Sequence, residues 1–327
     1  MDSENSTSLV QLFQLNDDTA ILITGVIYFC VTLPIFPLFF IIMKAIYLKN
    51  KAGSNLTFKL MNIINTCQLA QAFSHCTSAP MLIFPVLHAK LSWFINVLGC
   101  LINVGWICDF PVMILLAVCR ILIFTNFIQL KKLPIFAKVI LFIIAFWGLF
   151  LFIFGSYSQY FVLVTPGWSF DYSLPTIAFF DFQELIISFT CLPLSYFAYI
   201  FMAYLIYAKK NLSSSVTSRK NEIMILLQST FVTFYITVLI VIWHQGMFTT
   251  VTIVDMSIRR NQAILNGCVM MHCYVNPTLT LICNKSIRDD CMKLLGVRKQ
   301  KKSLMSLSGA SASSRLKRCS VLSMPRA

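Results

Sequence analysis

Long apolar segments alternate with short polar ones along most of the chain. Seven apolar segments lie at about 20–47, 58–87, 93–122, 134–156, 180–208, 222–247 and 261–283. Each is near or above the roughly 20 residues that a helix needs to cross a bilayer. A transmembrane β-strand would instead alternate apolar and polar residues over about 10 positions. The pattern therefore predicts an all-α protein with seven transmembrane helices.

The second apolar segment is the least regular, because polar side chains interrupt it. They recur at spacings of three or four residues and so share one helical face: Asn62, Asn65, Gln68, Gln71 and His75. A polar stripe of this kind suits a transmembrane helix that turns one side towards other helices. The alternative is a helix lying in the membrane interface, which would leave six transmembrane helices.

Composition agrees with a membrane protein. Of the 327 residues, 58% are hydrophobic and 12% are charged, whereas an average soluble domain is about 25% charged. A water-soluble fold of this length would have too few charges to cover its surface. Residues 1–19 contain four acidic residues and no Lys or Arg, which is unlike a signal peptide. We therefore expect the first apolar segment to remain as a transmembrane helix.

The basic residues fall on alternate connections between the apolar segments. Only Lys90, Arg259 and Arg260 break this rule, so 23 of the 26 Lys and Arg residues lie on one side. The positive-inside rule makes that side cytoplasmic and the N-terminus extracellular. The net charge of +14 is then explained by loops beside anionic lipid, at about 1 kcal/mol per basic residue. No nucleic-acid partner is predicted.

These features divide the chain into four predicted regions. They are an extracellular N-terminus at 1–19, a seven-helix domain at 20–283, a short amphipathic, membrane-parallel helix at 284–296 and a cytoplasmic tail at 297–327. The tail is basic, rich in Ser and low in hydrophobicity, which is typical of disorder. Asn5 is the one N-glycosylation acceptor predicted to lie outside, so the protein is expected to be a glycoprotein.

Cysteine positions argue against a disulfide framework. Ten of the 12 cysteines lie inside predicted spans, and the outer loop at about 157–179 has none. A cysteine inside a span behaves as a small buried hydrophobe. No Cys or Cys/His spacing is typical of zinc, and neither a metal nor a cofactor is predicted.

Two predicted helix ends on the inner side carry polar residues. Arg120 ends the third span, and Asn276-Pro277 lies near the inner end of the seventh. Taken singly, an Arg at this depth can extend to the interface. An Asn can likewise bond to the carbonyl that a proline leaves free. Each feature alone is more often structural.

Together, in a chain with seven spans, these residues resemble the G-protein-coupled receptor superfamily. Trp147 and Pro193 match single positions in its fourth and fifth spans, and the resemblance covers about residues 20–295. It implies a rhodopsin-like seven-transmembrane helix bundle. The chain departs from the common pattern, since span six has no Pro, span one lacks its usual Asn and span two lacks an Asp at the expected depth. Two single residues depart as well. Cys119 stands where an acid usually restrains the Arg, and Thr280 stands where Tyr is usual.

The chain looks more like the nematode serpentine chemoreceptors. Those receptors carry Leu-Ala-x-x-Arg in the third span, Asn-Pro in the seventh and Asn-x-x-Ile-Arg after it. The matching residues here are Leu116, Ala117, Arg120, Asn276, Pro277, Asn284, Ile287 and Arg288. Trp168-Ser169-Phe170 in the outer loop and Asp181-Phe182 at the start of span five resemble the class called Srx.

The resemblance implies a chemosensory receptor of the plasma membrane or a sensory cilium, with a role such as olfaction. It would bind a small odorant- or pheromone-like molecule within the helix bundle and activate a heterotrimeric G protein. Arg120, Asn276 and Pro277 would serve coupling and activation, although the missing acid beside Arg120 removes the usual ionic restraint. Arrestin or a second receptor copy would be further partners beside the lipid bilayer.

Asp109 is the ligand-site candidate with the clearest physical reason. It lies eleven residues before Arg120, or about 16 Å further out at 1.5 Å per residue. A carboxylate near mid-membrane is costly and usually functional. The structural alternative is a bond to Asn, Gln or His75 of the second span. The remaining ligand-site candidates are Trp106, Asp181, Glu184, Trp243 and His244.

For three of these candidates the sequence leaves alternatives open. Asp181 and Glu184 share a helical face and would either attract a cation or be solvated. A packed, hydrogen-bonded role for His244 is favoured over ligand contact. Ile102 occupies the position of the amine-binding Asp of aminergic receptors, so a biogenic amine ligand is disfavoured.

Other classes of protein fit less well. The sequence has no P-loop, GxSxG or HExxH motif, so an enzyme is not predicted. A multi-pass transporter is the main alternative, but transporters tend to show inverted repeats, and none is visible. A seven-span ligand-gated channel of the insect chemosensory type would place the N-terminus inside, which the charge distribution opposes.

Overall fold

A computed structural model describes residues 9–52, 56–129, 133–208, 216–245 and 253–297. Ten helices and two strands lie within these ranges: α1 Leu9–Leu12, α2 Thr19–Thr32, α3 Ile35–Ala52, α4 Leu56–Ile83, α5 Pro85–Phe124, α6 Ile135–Ser158, β1 Phe161–Val164, β2 Gly167–Phe170, α7 Ile177–Ala208, α8 Val216–Trp243, α9 Arg259–Cys283 and α10 Lys285–Leu294. Asn5 and all of the predicted tail except Val297 lie outside the described residues.

The helices form the predicted seven-transmembrane bundle. Five segments are long and apolar enough to cross a membrane: 19–51, 85–124, 135–158, 177–208 and 223–243. The first of them comprises α2 and α3, which are separated at Pro34, a residue with no N–H to donate. The more polar α4 and α9 pack among these segments and complete the seven.

α5 occupies the centre of the bundle. It packs against α4 on one side, against α6 and α7 on the other, and against β1 at its outer end. α8 lies between α7 and α9, and α9 also contacts α2, α3 and α4. Because α9 joins both halves of the chain, the ring of helices is closed.

The polar stripe of the second span faces the interior of the bundle. Asn65, Gln68, Gln71 and His75 are buried, and Asn62 is half-buried. Their helix, α4, packs against α2, α3, α5 and α9. A helix lying in the membrane interface would not be surrounded in this way, so the arrangement with six spans is excluded.

The outer loop after α6 forms a hairpin that sequence patterning did not predict. β1 and β2 pair antiparallel, with Phe161 opposite Phe170 and Leu163 opposite Trp168. These four side chains are buried. A hairpin of 4-residue strands gives little alternation to detect, which is why the sequence missed it.

The hairpin closes at its base through Asp171. The Asp171 N–H donates to the Tyr160 carbonyl at 2.8 Å. The Ser173 hydroxyl and backbone N–H both donate to Asp171 Oδ1, at 2.6 and 3.0 Å. These bonds stabilise the carboxylate and lower the pKa of Asp171 below its usual range.

Gly99 on α5 lets the hairpin approach the bundle closely. A Cβ at this position would lie 2.4 Å from the Trp168 ring and 2.7 Å from the Phe161 carbonyl. We expect Gly99→Ala to lower stability by about 1–3 kcal/mol, the usual cost of overpacking. Thermal unfolding of the purified receptor measures this. Gly267→Ala is the control, because its Cβ would meet Tyr28 at an ordinary 3.8 Å; equal melting temperatures for the two variants would contradict the prediction.

α10 is the predicted amphipathic helix. The Asn284 side chain caps it by accepting from the Ile287 N–H at 3.2 Å. Ile287 and Cys291, one turn apart, are buried against the bundle. Lys49 of α3 contacts Ser286 and lies 3.7 Å from Asp290. These contacts fix α10 beside the inner end of the first span; its orientation parallel to the membrane stays a prediction.

Candidate functional site

A cavity lies beneath the hairpin, between the outer halves of the helices. The space between its lining atoms, open solvent included, is about 460 Å³. Five helices and β1 contribute to its mainly apolar lining, which consists of Gln71, Ile102, Asn103, Trp106, Phe161, Glu184, Leu239, Ile240, Trp243 and Val269. Three predicted ligand residues are among them: Trp106, Glu184 and Trp243.

Glu184 is held in the cavity wall by a hydrogen-bond chain. Its Oε2 accepts from Asn103 Nδ2 at 2.9 Å, and the Tyr160 hydroxyl donates to Asn103 Oδ1 at 2.7 Å. All three residues are buried. The chain joins α7 to α5 and to the hairpin, so the carboxyl group has a fixed position in an apolar surrounding.

Asp181 and Glu184 lie on opposite sides of the His244 ring. Glu184 Oε1 is 3.9 Å from His244 Nε2, and Asp181 Oδ1 is 4.0 Å from Nδ1. The Glu184 side chain is 6% exposed, whereas that of Asp181 is 41% exposed. The alternative that both carboxylates are simply solvated therefore does not apply to Glu184. Both distances exceed a hydrogen bond, so neither carboxylate bonds directly to the ring.

Asp109 belongs to a separate, deeper polar cluster. Its Oδ2 lies 3.6 Å from His272 Nε2 and accepts from Gln71 Nε2 at 3.4 Å. Asp109 and His272 are buried. Asp109 does not line the cavity, because Gln71 and Trp106 lie between. Its surroundings match the structural alternative, with Gln71 as the partner on the second span instead of His75.

One ring contact links the deep cluster to the cavity. The Trp106 and His272 rings meet edge to face, with 5.3 Å between their centroids. Trp106 lines the cavity, and His272 faces Asp109. A molecule that displaces Trp106 would therefore also disturb the contact between α5 and α9.

At the inner end of the bundle, Arg120 bonds to a hydroxyl of α8. Arg120 Nη1 donates to Ser229 Oγ at 3.0 Å. Ser229 also lines an inner cavity of about 360 Å³ between α4, α5, α7, α8 and α9. The span-three Arg is thus tied to span six through a neutral group, although Cys119 replaces the usual restraining acid.

The residue before Ser229 forms a second link. Gln228 Nε2 donates to Asn276 Oδ1 at 3.2 Å and to Thr280 Oγ1 at 2.8 Å. Asn276 Nδ2 in turn donates to Asn65 Oδ1 at 3.2 Å. The Asn of the Asn-Pro pair therefore connects the second, sixth and seventh spans, with Pro277 buried beside it.

Comparison with known families agrees with this architecture. The family described as serpentine type 7TM GPCR chemoreceptor Srt matches residues 11–304. The chain belongs to this family. A comparison with curated protein sequences gives no match.

Membership of the Srt family confirms the prediction of a nematode serpentine chemoreceptor. The family is one of multi-pass membrane proteins and is not a class of enzyme. It replaces the Srx class that the outer loop suggested. The reason is visible in the hairpin, where Trp168 and Phe170 are buried packing residues. Burial in the hairpin accounts for these aromatic residues by packing, so the three residues Trp168-Ser169-Phe170 do not by themselves identify a class.

Several residues of the candidate site and of the inner bonds were not predicted from the sequence. They are Asn103, Tyr160, Ser229, Gln228 and His272. Asn103 precedes Trp106 by three residues, so a common helical face offered a clue. Gln228-Ser229 is a polar pair within an apolar run, which was also visible. Nothing in the sequence indicated that His272 faces Asp109.

Proposed function

We propose that this Srt receptor binds a small, largely apolar chemosensory ligand in the outer cavity and activates a heterotrimeric G protein at the inner end. The observation that carries the proposal is the buried Glu184 in an otherwise mainly apolar cavity. Family membership supports a chemoreceptor, and the cavity supplies a place for its ligand. The plasma membrane, or a sensory cilium, is the location that gives external odorants access.

The cavity favours a ligand with an apolar body and one hydrogen-bond donor. Ile102, Leu239, Ile240 and Val269 offer apolar surface. Glu184 has one oxygen bonded to Asn103 and the other 3.9 Å from His244. A ligand hydroxyl would have an acceptor there, and the apolar body would be buried against the aliphatic side chains.

α8 is the element that can carry the effect of the ligand to the inner face. Trp243 lines the cavity, while Gln228 and Ser229 hold the inner bonds. Fourteen residues separate Trp243 from Ser229, about 21 Å along one continuous helix. Ligand contact with Trp243 would shift the balance between states in which the Arg120–Ser229 bond is closed or open.

In the open state, Arg120 would become available to the G protein. Asn276 and Pro277 would allow the inner part of α9 to adjust, because a proline interrupts the helical hydrogen bonds. Arrestin and a second receptor copy are the further partners that this proposal includes. A transporter or ligand-gated channel is the alternative, and membership of a GPCR family opposes both.

The proposal is tested in cultured cells that express the receptor with an N-terminal epitope. We expect the epitope to stain without permeabilisation. A panel of volatile alcohols, esters, ketones and acids, read out by calcium and cyclic nucleotides, should give a response that disappears in cells lacking G-protein α subunits. A response that persists there would favour a channel or transporter, and staining only after permeabilisation would contradict the topology.

A further inference from the structure

A groove separate from the ligand cavity lies between the outer halves of α2 and α9. It contains about 930 Å³ of unfilled space. The residues that line it are apolar except at one end: Asp18, Ala20, Ile21, Thr24, Ile27, Tyr28, Pro166, Arg259, Arg260, Ala263, Ile264 and Gly267. Ile27 and Ile264 are 53% and 59% exposed. Exposed isoleucines within a span indicate that the groove opens towards the bilayer.

We propose that this groove binds a phospholipid of the outer leaflet. One acyl chain would lie between α2 and α9, and the phosphate would sit at Arg259 and Arg260. Two of the three basic residues on the predicted outer side are adjacent at this point. The charge distribution that defines the topology leaves few cations outside, so a pair at the mouth of an apolar groove is a specific feature.

The charges at the mouth favour an anion. Arg259 Nη1 bonds to Asp18 Oδ2 at 3.2 Å, while Asp18 Oδ1 accepts from the Ala20 N–H at 3.0 Å and caps α2. Arg260, which also lines the groove, forms no ion pair with the described residues. The N-terminus of α9 adds partial positive charge. A phosphodiester would give Arg260 an anionic partner, and guanidinium geometry suits phosphate oxygens.

The depth of the groove matches one leaflet. Asp18 and Ile27 are nine residues apart on α2, and Arg259 and Gly267 are eight apart on α9. At 1.5 Å per residue these two distances are about 14 and 12 Å, close to half of the ~30 Å hydrocarbon thickness. With its phosphate at the arginines, an acyl chain would reach the end of the groove near the bilayer centre.

Gly267 keeps the floor of the groove open. Among the described residues, a Cβ there would meet Tyr28 alone, at 3.8 Å, so a larger side chain would extend into the groove. The Tyr28 hydroxyl donates to the Ala263 carbonyl at 2.6 Å and holds α2 and α9 together below. The groove thus has a fixed base and an open side. A lipid with two acyl chains can place one chain in the groove and keep the second in the bilayer.

The test uses the full-length receptor in nanodiscs that contain phosphatidylcholine with a diazirine in one acyl chain. After photolysis, mass spectrometry compares labelling of residues 259–267 with that of Phe142 and Phe146, which face lipid on α6. We expect the groove to be labelled several-fold more strongly. Gly267→Leu should reduce its labelling to the α6 level, and Arg260→Gln should reduce it about fivefold. Lys90→Gln, the matched loss of an outer charge elsewhere, should leave it unchanged.

Two further probes identify the occupant. A diazirine diacylglycerol, which lacks the phosphate, and a diazirine fatty acid should label the groove no more than α6. Equal labelling by the diacylglycerol would refute the role of the arginines, and stronger labelling by the fatty acid would refute a phospholipid. Groove labelling equal to α6 in the wild type would refute the site. If Gly267→Leu fails to fold, the variant Arg260→Gln, at an exposed position, still tests whether the groove binds a phospholipid. Because no signalling is measured, this result is independent of the proposed function.

Discussion

Glu184→Leu should raise the concentration of agonist needed for half-maximal response by about 10- to 100-fold, the range expected for a lost hydrogen bond to a charged group. The carboxyl group is the polar acceptor held in the apolar cavity wall, and Asn103 fixes one of its oxygens. Leucine offers no acceptor to the ligand and leaves the Asn103 amide without this partner. The measurement is a concentration–response curve for the most potent agonist found in the odorant panel.

Two other variants separate ligand contact from general damage. Glu184→Gln keeps an oxygen for Asn103 and should fall between wild type and leucine. Asp181→Asn removes a carboxylate at the exposed rim, where screening by water weakens its effect, and should change the response much less. The N-terminal epitope corrects for surface level. An unchanged response in Glu184→Leu at normal surface level would remove Glu184 from the ligand site.

Arg120→Ala should leave surface expression largely intact and reduce agonist-evoked signalling by about tenfold, within the usual range of coupling energies. Arg120 bonds to Ser229 in the present arrangement, and the proposed opening of the inner cavity would present it to the G protein. Alanine removes that contact without affecting the outer cavity. Cyclic-nucleotide or calcium signals at matched surface levels are the measurement.

Ser229→Ala distinguishes the two roles of Arg120. Loss of the hydroxyl removes this bond between Arg120 and α8 but keeps Arg120 for the G protein, so basal signalling should rise by about tenfold, as for a bond to a charged group of about 1.5 kcal/mol. Lys138→Ala removes an exposed cation near the inner end of α6 and is the charge-matched control. Normal signalling in Arg120→Ala would refute its assigned role.

The adjacent residues Gln228 and Ser229 bond α8 to two other helices. One bonds to Asn276 and Thr280 on α9, and the other bonds to Arg120 on α5. A rotation or outward shift of α8 would break both sets of bonds together. The inner face is therefore expected to switch between two arrangements, which is what a population-shift mechanism requires.

The seven spans could be predicted from the sequence because hydrophobic length is a local property. A helix in lipid must satisfy its backbone hydrogen-bonding groups within the helix. Its length and mean apolarity can therefore be read from consecutive residues. The polar stripe from Asn62 to His75 likewise predicted a buried face, since a 3.6-residue period fixes which side chains of one helix point the same way. Arg120 and Asn276 were identified from their positions at the ends of such helices.

The partners of these residues depended on how the helices pack. Periodicity grouped Asp181 with Glu184, but only the position of α7 against α5 buries Glu184 beside Asn103 and leaves Asp181 at the rim. Asp109 is buried beside Gln71, as in one of the two alternatives that the sequence left open. Its neighbour His272 comes from a helix 163 residues later, and no local pattern records the rotation of one helix relative to another.

The sequence by itself therefore determined the number of spans and the polar faces that must be hidden, and it predicts the orientation of the spans. It also indicated a serpentine chemoreceptor, although not the correct class. Tertiary structure decided which polar groups meet, that the outer loop folds into a hairpin over a cavity, and that a second groove opens towards the bilayer below Arg259 and Arg260. The physical reason is that burial and helix length follow from nearby residues, whereas contacts between helices follow from the shapes of all the helices packed together.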